Sequence, residues 1–186
     1  MRSTLQNLLA SSLSLSCLLC AGLANAQSAG PGTTLVEGYY WIRAVADPNF
    51  HKYLQSKPLY SESYAVLETH TTAGQFQIVD GQLVQLISEP GAPEEFLYAN
   101  VGTERVVNDE SLQVSFNATE NTHGTFAWQG DTLTWSTPDV ERPNTAAWYV
   151  CTDQLLYVNL GAYMYQTPEG CADQTIHYYN DKTANE

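Results

Sequence analysis

Apolar and polar residues alternate with a period of two along most of this chain. In "LQVSFN", residues 112–117, Leu112, Val114 and Phe116 fall on one side and Gln113, Ser115 and Asn117 on the other. That is the spacing of a strand with one face in a core. "YYWIRAVA" runs into Asp47-Pro48-Asn49, a turn signal, and "FHKYLQS" resumes before Pro58. Beyond the first 26 residues no stretch keeps helical spacing for three turns. The pattern predicts an all-β domain: a single antiparallel β-barrel or sandwich built from hairpins, with a β-trefoil-like arrangement as the alternative.

Two segments share a design. "GQFQIVDGQLVQL", starting at Gly74, and "GTFAWQGDTLTW", starting at Gly124, both read G-x-F, an apolar position, a turn with Gly and Asp, then x-L. A Gly130-Asp131 turn would set Trp128 opposite Leu133 and Phe126 opposite Trp135, the cross-strand pairs that stabilise a hairpin. A fainter third copy over residues 148–160 leaves open either an internal repeat or a meander that reuses good hairpins. Phe76, Phe126, Trp128 and Trp135 are expected in the core.

Residues 156–165 also alternate. Leu156, Val158, Leu160, Ala162 and Met164 are expected to face the core from one long strand. Tyr157, Asn159, Tyr163 and Tyr165 would then share the opposite face. Two readings stand: a candidate binding face whose rings stack on sugar units or an extended partner, or a face lying under another layer.

The chain starts with Arg2, a Leu/Ala/Ser-rich run over residues 5–23, and Ala24-Asn25-Ala26. This predicts a secretory signal peptide at residues 1–26, cleaved after Ala26. A flexible leader at 27–38, one all-β domain at 39–180 and a short tail at 181–186 follow. The compartment decides the cysteines. Cys17 and Cys20 leave with the signal, and Cys151 and Cys171 remain as an even pair in a secreted chain, where a disulfide is the default. Asn117-Ala118-Thr119 is a glycosylation sequon, and its outward phase beside Phe116 suits attachment at Asn117.

The formal net charge is −13, and loss of Arg2 makes the remainder one unit more negative. Such a surface repels phosphate backbones, so no nucleic-acid partner is expected, and no later run is apolar enough for a membrane span.

The W-Y-V-C, L-Y-V-N-L-G and P-E-G-C elements of residues 148–171, with "WIRAVA" and "FQIVDGQL" earlier, resemble a family of small secreted fungal proteins. These are the cell wall protein PhiA, IgE-binding-like proteins and hypersensitive-response elicitors. The resemblance covers most of residues 39–180. It implies a β-barrel-like domain, residence in the cell wall or outside the cell, and no established enzymatic activity.

The residues themselves point the same way. Glu94-Glu95 and Asp109-Glu110 are adjacent acids, but neighbours on a strand face opposite sides, and 20 acidic residues supply such pairs by chance. They read as solvated surface, which leaves a small extracellular glycoside hydrolase as the weakest option. His51, His70, His123 and His177 lack metal-ligand spacing, and no G-x-S-x-G elbow occurs. No catalytic residue, metal site or cofactor is therefore expected. Twelve Tyr and four Trp provide flat amphipathic surfaces instead. The expected function is a secreted, cell-wall-associated or surface-recognition protein, with a carbohydrate-binding lectin module as the alternative. Its partner would be cell wall polysaccharide or a host surface component.

Overall fold

The computed structural model describes residues 29–186, so the expected signal peptide lies outside the described residues. Thirteen strands follow in chain order among them. They are β1 (Trp41–Ala44), β2 (Tyr53–Ser56), β3 (Ser63–Glu68), β4 (Phe76–Val79), β5 (Gln82–Leu86), β6 (Phe96–Val106) and β7 (Ser111–Asn117). β8 (Thr125–Gln129), β9 (Thr132–Ser136), β10 (Trp148–Val150), β11 (Leu156–Asn159), β12 (Ala172–Gln174) and β13 (Ile176–Tyr179) complete the set. Two single 3-10 turns, His70–Thr72 and Thr152–Gln154, are the only helical elements among the described residues. The domain is all-β, with one antiparallel sheet that is nearly closed and barrel-shaped.

Closure can be followed strand by strand. β1, β2, β3, β7, β6, β5 and β4 pair in that order. Tyr40 then bridges Phe76 through two backbone hydrogen bonds of 2.8 Å, which brings β4 back beside β1. β11, β10 and β12 extend from the first half of β7, while β13, β9 and β8 extend from β1. The turn between β4 and β5 has Asp80 at φ 50° and Gly81 at φ 81°, the backbone that a tight two-residue hairpin requires.

The expected pairs are present: Trp128 faces Leu133 and Phe126 faces Trp135. Leu112, Val114 and Phe116 all enter the main core, with Phe76, Phe126 and Trp135, and Trp128 packs against it. Phe126 stacks on Trp148 at 6.5 Å with ring planes 2° apart. The three fully buried indoles keep their N–H groups satisfied: Trp148 donates to Leu133 O, Trp135 to His123 O and Trp41 to Asp181 O. That satisfaction is what makes burial of a tryptophan favourable.

Two expectations fail. The segment 156–165 is a strand only as far as Asn159. There the Asn159 side chain turns back to accept the Gly161 N–H at 2.7 Å, and Leu160 N–H goes to Glu110 O. This is the way an asparagine competes with a ladder and starts a turn. Leu156 and Val158 are core and Leu160 packs against it, but Ala162 is exposed and Met164 is 75% exposed. The leader is the second correction. The Gln75 side chain donates to Gly32 O and Thr34 O and accepts the Val36 N–H, while Leu35 N–H bonds Lys182 O. One buried glutamine and the returning C-terminal segment therefore hold residues 32–36 on the domain. The tail is tied as well, since Asp181 O accepts the Trp41 indole N–H and Asn185 O accepts the Tyr53 hydroxyl.

Candidate functional site

Cys151 and Cys171 form the expected disulfide. Both sulfurs are thereby committed, and His177 pairs instead with Asp131 at 3.2 Å. The bridge belongs to a small cluster with Tyr149 and Tyr157, flanked by Val107 and Leu155. This second layer covers the outer side of β10 and β11.

The four polar residues of the expected Tyr face consequently separate. Tyr157 is 8% exposed and Asn159 is fully buried, whereas Tyr165 is 64% exposed. Tyr163 is half-buried beside Asp47 and Asp173, in a separate depression of about 350 Å³. Asn159 donates its amide to Asp173 Oδ1 at 2.8 Å, and Thr167 donates to the other oxygen of that carboxylate. Asn159 and Asp173 thus hold the chain around 159–173, and no single Tyr157/Asn159/Tyr163/Tyr165 face exists. Behind them lies the fully buried Tyr149, whose hydroxyl has no partner. Burial, with Asp173 and Glu110 nearby, pushes that phenol up to about 12.

A different outer surface carries exposed aromatic rings. β6 alternates cleanly, with Leu97, Ala99 and Val101 buried and Phe96, Tyr98 and Asn100 half-exposed. Register then sets their neighbours. Tyr98 lies opposite Val84 of β5 and Asn117 of β7, and Asn100 lies opposite Ser115, which faces Tyr64 of β3. Tyr64 and Tyr98 are two strands and two residues apart, about 12 Å by strand geometry.

Two depressions lie on this face. The first, about 220 Å³, is lined by Val79, Val84, Phe96 and Tyr98, with Asp80, Gln82 and Glu120 supplying polar groups. Its polar groups sit on rigid supports. Asp80 stands on the tight β4–β5 turn. The Gln82 amide bonds both N–H and C=O of Asn121, and Asn121 in turn bonds Val101 N–H, His123 and Gly124 O. Glu120 is therefore presented by a fixed loop. The second depression, about 420 Å³ and shallower, is lined by Lys57, Glu62, Ser63, Tyr64, Ser115 and Asn117.

Half-exposed rings beside exposed carboxylates suit a ligand with flat apolar faces and many hydroxyl donors. Sequence reasoning missed Phe96, Tyr98 and Tyr64, although the period-two run "FLYANV" held the signal. Asp80 and Glu120 could not be associated, because they lie 40 positions apart in the chain and only the fold joins them.

Residues 37–182 match a family model described as a domain of unknown function (DUF7908), and the chain belongs to that family. No curated protein and no solved structure matches it. Among the described residues no helix is long and apolar enough to cross a membrane.

Proposed function

We propose that this DUF7908 member is a secreted, non-catalytic surface-recognition protein that associates with cell walls by holding a neutral polysaccharide in the Phe96–Tyr98 depression. The observation that carries the reading is the pair of half-exposed rings on β6, flanked by the exposed carboxylates of Asp80 and Glu120. The rings offer stacking surfaces for pyranose faces, and the carboxylates accept hydroxyl hydrogen bonds. The strong negative charge of the chain opposes acidic polymers and favours uncharged ones. The signal-like start, the disulfide and the sequon at Asn117 support an extracellular glycoprotein. The resemblance to PhiA-like and elicitor-like fungal proteins supports residence in a wall. A host surface glycan would offer the same chemistry.

The test is cosedimentation of the secreted protein with insoluble chitin, β-glucan and mannan. Retention on at least one of them, lost in Phe96→Ala/Tyr98→Ala while the fold persists, supports the proposal. Retention unaffected by that double substitution would move the site elsewhere on the molecule.

A further inference from the structure

The second depression includes the sequon asparagine itself. Asn117 ends β7 half-buried, with its Nδ2 making one 3.2 Å hydrogen bond to Ser115 Oγ. The backbone just beyond it is fixed from both sides. Ala118 N–H donates to Glu62 Oε1 at 2.8 Å, and Thr119 O accepts the Asn100 amide at 3.0 Å. A glycan stem at Asn117 would therefore leave the surface in a set direction.

What lies beside it is an aromatic ring without a cover. Tyr64 is 57% exposed, one of three aromatic side chains among the described residues, with Phe50 and Tyr165, that stand more than half open to solvent. Tyr64 pairs with Ser115, and Asn117 is two residues further along β7. The two positions are thus about 8 Å apart, one strand spacing across and two residues along. One or two sugar units span that gap. The remaining lining groups, the Lys57 ammonium, the Ser63 and Ser115 hydroxyls and the Glu62 carboxylate, can hydrogen-bond sugar hydroxyls and an acetamido group.

We infer that the carbohydrate on Asn117 docks back onto the protein, its first sugars stacked on Tyr64 in the depression between β3 and β7. This rests on Asn117 being glycosylated during secretion. Asn117 also lies opposite Tyr98 in the β6–β7 register, so the stem of this glycan borders the Phe96–Tyr98 depression while its first sugars turn the other way, towards Tyr64. The docked glycan covers the exposed tyrosine and becomes part of the surface, so glycosylation stabilises local structure as well as adding bulk.

The protein should be secreted from a eukaryotic host and its occupancy at Asn117 read by intact mass and glycopeptide analysis. Amide hydrogen exchange is then compared before and after enzymatic removal of the glycan, for the natural chain, Tyr64→Ala and Tyr64→Phe. The expected result is slower exchange around Ser63–Tyr64 and Ser115–Asn117 in the glycosylated natural chain, by roughly fivefold or more, the effect of one stacked ring on a local opening. Tyr64→Phe keeps that protection and Tyr64→Ala loses it. A secreted product bare at Asn117 overturns the inference at the glycosylation step. A glycosylated product whose protection is equal in Tyr64→Ala and the natural chain overturns the docking step.

Discussion

Replacing Arg142 with methionine removes a guanidinium that ties three segments of the barrel together. Its Nε donates to Asn159 O at 2.9 Å, Nη1 to Trp135 O at 2.7 Å and Thr145 O at 3.1 Å, and Nη2 to Ala147 O at 2.5 Å. The ends of β9 and β11 and the 145–147 segment meet on this one side chain. Burial pushes its pKa down to about 10. Four charge-assisted hydrogen bonds at the low end of their range contribute about 6 kcal/mol. The low end applies because Thr145 O and Ala147 O each also accept a backbone N–H, from Trp135 and Asn159. Holding the cation out of water opposes this by about 3 kcal/mol. The expected net loss in Arg142→Met is therefore about 3 kcal/mol, or roughly 6–12 °C in Tm for a domain of this size. Urea denaturation with unchanged m-value is the assay. Arg142→Lys, a single-point donor that cannot reach four carbonyls, should fall between the two. A loss below about 1 kcal/mol in Arg142→Met would refute the organising role.

Removing the disulfide with Cys151→Ser/Cys171→Ser, a separation of 20 residues, should cost about 3 kcal/mol on the chain-entropy model. Equal denaturation midpoints with and without the bridge would contradict that figure. Tyr149 has its folded pKa raised to about 12, above the value of about 10 expected when unfolded. The native state then holds the extra proton between those values, so the Tyr149 contribution is complete below pH 10 and lost as pH rises towards 12. Tyr149→Phe should flatten this part of the alkaline stability profile and leave neutral-pH stability unchanged or slightly higher, because the deleted hydroxyl has no partner. A loss above about 1 kcal/mol at neutral pH would show that the hydroxyl is satisfied. Gly124 sits at φ +75°, and a Cβ there would lie 2.5 Å from Ser136 O and 2.7 Å from the Trp135 ring. Gly124→Ala is expected to cost about 3 kcal/mol or more in thermal or urea unfolding, and a near-neutral result would contradict the close packing of that turn.

The all-β class and the β8–β9 pairing were legible because period-two alternation and Gly/Asp turns are local signals. Leu112, Val114 and Phe116 occupy the core for the same reason. Locality also explains the errors. The alternation over 156–165 continues past the strand end, because hydrophobicity does not register that the Asn159 side chain takes the Gly161 N–H. The turn-prone leader 27–38 reads as flexible, since the glutamine that holds its residues 32–36 lies some 40 positions away. Arg142 sits in an ordinary polar stretch, "DVERPN", and its four carbonyl partners exist only once the sheet has formed. The candidate site shows both sides: Phe96 and Tyr98 follow from strand phase, but Asp80 and Glu120 join them only through closure of β4, β5 and β6 and the Gln82–Asn121 contact.

The most direct test of the proposed recognition role is a backbone-amide NMR titration of the secreted protein with soluble oligosaccharides of chitin, β-glucan and mannan. Shifts concentrated at Val79–Val84, Phe96–Tyr98 and Glu120, saturable with one of these sugars and abolished by Tyr98→Ala, are the predicted result. Saturable shifts confined to other surfaces, or unmoved spectra with all three sugars at millimolar concentration, would contradict the proposal.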